Sequence, residues 1–203
     1  MKLTHKIFIG IIAYAILLLF LTVFLNDLVA LDMYLFLTIN QISSPILDYV
    51  FIFITYAGES LFWGFIIIVL WLKKERKASV YLIYAFILDS ILAFSTKLFF
   101  QRPRPPERFP GLEVLRKEYG LSFPSAHSER VFSGAVILGS LYKKFRLSLF
   151  VLAMIVAFSR IYIGVHYPSD VVIGSINGII IGLISLAIPT KKLQKKLEKI
   201  IKI

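Results

Sequence analysis

An all-α, polytopic membrane protein is what this sequence predicts, and three observations carry that expectation. Of its 203 residues, 58% are hydrophobic, and the mean hydropathy is +0.81. The apolar residues gather in runs close to the ~20 that a helix needs to cross a bilayer. Only 17% of residues are charged, against about 25% in soluble domains, which need a charged shell. Hydrocarbon offers backbone N–H and C=O groups no partners, so helices are the natural spanning element. The chain has no cysteine, which excludes disulfide scaffolds, thiolate metal sites and a cysteine nucleophile. Its length suits one membrane-embedded domain over residues 1–203, without a separate soluble module.

The first span is the unbroken apolar run Ile7 to Leu25, which follows Lys2 and Lys6. It is too long for a signal peptide's apolar region, and no small-residue cleavage site follows it. Leu28 to Tyr49 mixes Asp32, Asn40, Gln41 and Asp48 with apolar residues. A short interfacial helix and a turn at Ser43–Pro45 fit it best. The stretch Ile46 to Leu72 is interrupted by Gly58 and Glu59 and holds the second span in its later part; the third is Ala78 to Phe100, with Asp89 near its middle. A polar loop runs from Gln101 to about Pro124. Spans four to six follow at His127–Tyr142, Leu147–Gly164 and Ser169–Ile188. Six transmembrane helices and one interfacial helix result.

Orientation is read from the loops. Fifteen of the 23 lysines and arginines, including six in the amphipathic tail 191–203, fall on one side of the predicted spans. By the positive-inside rule that side, with both termini, is cytoplasmic. The net charge of +11 thus belongs to membrane orientation rather than to nucleic-acid binding, and the tail reads as resting on anionic headgroups.

The remaining basic residues collect on the outer side, against this bias. Lys97 ends span three and Arg104 lies just beyond it; His127 opens span four; Arg160 ends span five; His166 and Asp170 flank the start of span six. Charged groups at membrane depth are costly and point to function. Three cations beside two histidines and a carboxylate form an anion site with acid–base equipment. Pro124-Ser125-Ala126-His127 enters a helix whose first N–H groups and positive dipole end favour an anion. Ser125 could equally be an ordinary N-cap. Pro168 places a helix start between His166 and Asp170, so Asp170 would orient the imidazole across a turn. Gly174, Gly178 and Gly182 form a stripe on span six that fits close packing inside the bundle better than dimerisation. Asp89 reads as an interhelical hydrogen-bond partner, and Glu129 and Arg130 as charges paired with nearby loop residues rather than tuning the site. No HExxH motif, cysteine pair or carboxylate cluster suggests a metal site.

Lys97–x6–Arg104–Pro105, Pro124-Ser125-Ala126-His127 and Ser159-Arg160–x5–His166–x3–Asp170 together resemble the three-part signature of the type 2 phosphatidic acid phosphatase superfamily. That group includes lipid phosphate phosphatases, polyprenyl diphosphatases, glucose-6-phosphatase and vanadium haloperoxidases. The resemblance covers residues 97–170 in order and spacing. It departs at Ala126, where the family usually has glycine; an N–H remains there, and alanine suits a helix start.

The resemblance implies a role for each matched residue. His166 would attack phosphorus and form a phosphohistidine, with Asp170 orienting it. His127 would protonate the leaving oxygen. Lys97, Arg104, Arg160, Ser125 and the Ala126 and His127 amides would hold the phosphoryl oxygens, with no metal or cofactor. The substrate would be a membrane lipid phosphate or diphosphate, met on the extracytoplasmic side of the cell membrane. Polyprenyl diphosphate is preferred for so compact a chain, with phosphatidate or phosphatidylglycerol phosphate as the alternative. A proton-coupled transporter using Asp89 and Glu59 is the rival from another class, but it calls for related halves, which the sequence lacks.

Overall fold

A computed structural model of the chain describes residues 28–112 and 114–190. The first predicted span and the basic tail lie outside the described residues. Every regular element among the described residues is helical.

Helix α1 (Val29–Asn40) and helix α2 (Pro45–Thr55) meet at 119°. The bend falls at the predicted Ser43–Pro45 turn. There Ser44 caps α2 by accepting from the Leu47 N–H at 3.4 Å, and Pro45 supplies a first helical residue that has no N–H to satisfy. A single 3-10 turn (Tyr56–Gly58) leads into α3 (Ser60–Leu72). Helix α4 (Arg76–Phe100) continues past Arg102 to a one-turn helix, α5 (Pro105–Arg108). Helices α6 (Ala126–Leu141), α7 (Arg146–Tyr162) and α8 (Pro168–Ala187) complete the described bundle.

Fewer spans are evident among the described residues than the five that the sequence predicts there. Among the described residues, three segments are long and apolar enough to cross a membrane: Arg76–Arg108, Lys143–Tyr162 and Pro168–Ala187. The bent pair α1–α2 makes a fourth if it counts as one. At 1.5 Å per residue, the 13 residues of α3 and the 16 of α6 reach only about 20 and 24 Å. A hydrocarbon core is ~30 Å thick. The second and fourth predicted spans therefore appear as shorter helices.

Helix α6 is the centre, packed against α8, α7 and α4. A Cβ on Gly174 would stand 2.5 Å from the Ser125 carbonyl oxygen, and one on Gly178 would stand 2.2 Å from that of Glu129. The glycine stripe thus seats α8 on the backbone of α6, as intrabundle packing requires. Phe132 and Ala135 of α6 meet Val156 and Ala157 of α7 in the main apolar cluster. Polar groups also face inward. Asp89 accepts from Ser133 Oγ at 3.0 Å, which makes it the interhelical partner expected. Glu129 takes Asn177 Nδ2 at 2.7 Å, and Arg130 donates to the Gly58 carbonyl at 2.7 Å. Neither contact is a charge pair with a loop residue, and both cross to other elements. Large apolar side chains such as Ile91, Phe94, Leu147 and Met154 face outward, as an integral membrane protein requires.

Candidate active site

The start of α8 builds the centre of the site. Pro168 opens the helix, and Asp170 Oδ2 accepts from the Tyr167 N–H at 3.0 Å, which closes the first turn. The same oxygen accepts from Ser122 Oγ and lies 3.3 Å from His166 Nδ1. On the other face of the ring, Arg104 Nη1 is 3.1 Å from His166 Nε2. A guanidinium only donates, so Nε2 is the acceptor and the ring proton sits on Nδ1, toward Asp170. Burial, reinforced by Arg104, Arg160 and Lys97, holds His166 well below the ordinary imidazole pKa. It is therefore neutral at physiological pH, with its lone pair on Nε2.

Three cations surround that lone pair's side of the site. Arg160, wholly buried at the end of α7, donates to Thr55 Oγ1 at 2.8 Å and to Glu118 Oε1 at 2.5 Å. Arg104 Nη2 stands 3.4 Å from Glu118 Oε2, while its Nε donates to the Gly120 carbonyl at 3.1 Å. Lys97 Nζ donates to the Leu121 carbonyl. Both ends of the loop between α5 and α6 are pinned, by Leu115 N–H to Ile163 O at 3.1 Å and Ser122 N–H to Arg102 O at 2.8 Å. This pinning sets the Glu118 carboxylate across Arg160 and Arg104. Burial alone would raise the Glu118 pKa, but Arg160, His127 and Arg104 hold it below the usual carboxylate range. A planar anion thus already lies on two guanidinium groups, the geometry that also suits a phosphoryl group.

His127 enters from the first turn of α6. Its ring packs on Gly58, where a Cβ would come within 2.6 Å of Cδ2. Its Nε2 is 3.5 Å from Glu59 Oε1, too long for a strong hydrogen bond. Ser125 is the N-cap, with Oγ accepting from Ser128 N–H at 3.5 Å and Ser128 Oγ at 3.1 Å. Its own N–H donates to the Asp170 carbonyl at 3.0 Å, which ties the starts of α6 and α8 together. The Ala126 and His127 amides precede the helical ladder, where an anion can reach them.

Glu59, Glu118 and His127 are close enough that one ligand atom from each lies within 4.8 Å of the others. That trio has the donor set of a cation site. Its carboxylates, however, are already held by Arg116 at 2.7 Å and by Arg160 at 2.5 Å, so a metal ion would compete with fixed guanidinium groups. The balance of charge favours an anion.

The structure places all eight sequence-derived candidates around this centre. Reasoning from sequence missed Glu118, Ser122, Arg102 and Asp32. The last two hold Asp170: Arg102 donates to Asp170 Oδ1 and to Asp32 Oδ2, each at 2.5 Å.

A profile of the PAP2 superfamily matches residues 78–194, which is over half of the chain and takes in every candidate residue. The chain belongs to the PAP2 superfamily. Among curated relatives, an undecaprenyl-diphosphatase of Sulfolobus acidocaldarius is 29% identical over 174 residues, 84% of each chain. A lipid A 4'-phosphatase of Porphyromonas gingivalis is 28% identical over 166 residues, 73% of this chain and 68% of that one. The crystal structure of Aquifex aeolicus LpxE superposes with a TM-score of 0.73 at 34% identity, over 78% of this chain and 96% of that one. A PAP2-type phosphatidylglycerolphosphate phosphatase from Bacillus subtilis shares the fold, with a TM-score of 0.72 at 24% identity over 85% and 94%. This PAP2 protein is a membrane phosphatase, a hydrolase of phosphoric esters.

Proposed function

We propose that the protein hydrolyses a polyprenyl diphosphate to the monophosphate and inorganic phosphate, through a phosphohistidine at His166. The observation that carries this is the neutral His166, its Nδ1 proton toward Asp170 and its Nε2 lone pair toward the guanidinium-bound anion position. An arriving terminal phosphoryl group replaces the Glu118 carboxylate on Arg160 and Arg104 and draws Arg104 away from Nε2. Nε2 then attacks phosphorus as the bond to the leaving oxygen breaks, and His127 gives that oxygen a proton. Asp170 stabilises the charge that develops on the ring. In the second step His127 takes a proton from water, whose oxygen attacks phosphorus, and the P–N bond breaks to release phosphate. Lys97, Arg104, Arg160 and the first-turn amides of α6 act by positioning and charge stabilisation, the main requirements of phosphoryl transfer.

An undecaprenyl-diphosphatase relative aligned over 84% of each chain supports the diphosphate reading. The lipid A 4'-phosphatase relative favours a second reading, a lipid phosphomonoester. Phosphate release by purified protein from a panel of polyprenyl diphosphates, phosphatidate, phosphatidylglycerol phosphate and lipid A decides between them. Because the phosphoryl oxygens are met by fixed cations, turnover should persist in EDTA and vanadate should inhibit as a phosphate mimic. Complete loss in EDTA, restored by magnesium, overturns this account.

We further propose six spans over a single domain 1–203, with both termini cytoplasmic and the site on the extracytoplasmic side. The lysine and arginine asymmetry supports this orientation. The chain has no native cysteine, so single introduced thiols report cleanly. Tyr119→Cys, on an 87% exposed loop residue, should react with an impermeant reagent on intact cells. Lys73→Cys, on the opposite side, should react only after permeabilisation. The reverse pattern would put the site in the cytoplasm.

A further inference from the structure

Asp170 holds His166 with one oxygen, and its other oxygen leads away from the site to a buried chain of charges. Arg102 Nη1 donates to Asp170 Oδ1 at 2.5 Å and to Ser169 Oγ at 2.7 Å. Its Nη2 donates to Asp32 Oδ2 at 2.5 Å. Asp32 in turn accepts from Ser169 N–H at 2.9 Å and Ser169 Oγ at 2.5 Å. The guanidinium lies over the Tyr167 ring, 4.1 Å from its centroid. Asp32, Arg102 and Asp170 are 3%, 4% and 0% exposed. Three elements far apart in sequence thus supply one continuous network: α1, the exit of α4 and the start of α8.

Such a network is expensive to bury, and simple packing does not require it. An ion pair removed from water is often no better for stability than apolar residues of the same volume. Its geometry, however, does something specific. A carboxylate can rotate and offer either oxygen to its neighbour. The Arg102 fork takes Oδ1 and leaves Oδ2 facing His166 Nδ1. Asp32 fixes the other arm of that fork, and the Tyr167 ring limits its tilt. Lysine would not substitute, since one ammonium cannot span two carboxylates as a planar fork does.

We propose that Asp32 and Arg102 are positioning residues, forming with Asp170 a carboxylate–guanidinium–carboxylate relay that sets the orientation and tautomer of His166. The inference rests on the reading of His166 as nucleophile. It adds to that reading two residues outside the three-part signature, one of them on a helix that precedes it. Neither touches the substrate; both act through Asp170.

The test uses full-length purified protein and the lipid substrate turned over fastest. Misplacement of a reacting group costs on the order of 10²-fold. Asp32→Asn and Arg102→Lys should each lower kcat by roughly 10–100-fold and leave KM within about twofold, because the phosphate-binding cations are untouched. The double variant should be no slower than Arg102→Lys alone, since Asp32 acts through the fork that lysine has already removed. Thermal melting in detergent separates a folding defect from a positioning one. Should Asp32→Asn fail to accumulate, Arg102→Lys decides by the same split of kcat from KM. A wild-type kcat in either folded variant, a change confined to KM, or losses that multiply in the double variant would overturn the relay. Asp170→Asn serves as the reference. If it retains wild-type turnover, the His166–Asp170 reading itself fails; if it is inactive while Asp32→Asn is normal, the relay alone fails.

Discussion

His166→Ala is expected to remove turnover of every lipid phosphate and diphosphate, by at least ~10⁴-fold in kcat, as loss of a covalent nucleophile does elsewhere. No neighbouring group is placed to take over. Ser122 Oγ is committed to Asp170, and Ser125 Oγ caps α6. Binding should survive, because Arg104, Arg160 and Lys97 remain. The fold should also hold, since Asp170 keeps bonds from Arg102, Ser122 and the Tyr167 N–H. Turnover and phosphate-induced thermal stabilisation, measured on one preparation, check both halves. Residual activity within tenfold of wild type would mean that water attacks phosphorus directly or that another residue does.

His127→Ala is expected to give a loss that depends on what departs. Phosphatidate hydrolysis expels an alkoxide, a poor leaving group that needs a proton. Polyprenyl diphosphate hydrolysis expels a phosphate monoester, which is far less basic. General acid catalysis is typically worth ~10²–10⁴ in rate, so the phosphatidate reaction should fall toward the upper end and the diphosphate reaction much less. In the structure, His127 Nε2 lacks a short partner, with Glu59 Oε1 at 3.5 Å, which leaves it available to a leaving oxygen. Single-turnover rates are the proper readout, because slow lipid exchange hides chemistry in the steady state. Equal losses on both substrates would reject proton donation. They would point instead to the contact between the His127 ring and Gly58 as the reason the residue matters.

The candidate site was legible in the sequence where chemistry and spacing coincide. Lys97 and Arg104 stand at a helix exit, Pro124 to His127 at a helix entry, and His166 and Asp170 on either side of Pro168. Each position has a local reason that a single sequence displays. The glycine stripe of α8 was legible for the same cause, since a fourfold spacing marks one helix face. Residues whose meaning depends on a distant partner were not. Asp32 looks like one polar residue in a mixed segment, and nothing local reveals that it meets Arg102, 70 residues on. Glu118 lies in a loop without pattern, and its place on Arg160 follows from how that loop is pinned at both ends. Glu129 and Arg130, in the first turn of a helix that follows a polar loop, suggested charge pairing with loop residues, yet α6 turns one toward Asn177 and the other toward the Gly58 carbonyl. The interruption of the apolar run at Gly58 and Glu59 was legible in the sequence, but not that it leaves α3 only 13 residues long, because hydropathy marks an apolar run without fixing where its helix begins.

The central claim is that phosphorus passes through His166 Nε2. Rapid mixing of the protein with a polyprenyl diphosphate labelled in its terminal phosphate, followed by an alkaline quench, tests it most directly. A phosphoramidate survives alkali and is lost in acid. The account predicts transient label on the peptide that contains His166, formed no slower than phosphate release and missing from His166→Ala. Label on any other residue, or phosphate release at the full rate with unlabelled protein and inversion at phosphorus, would contradict it.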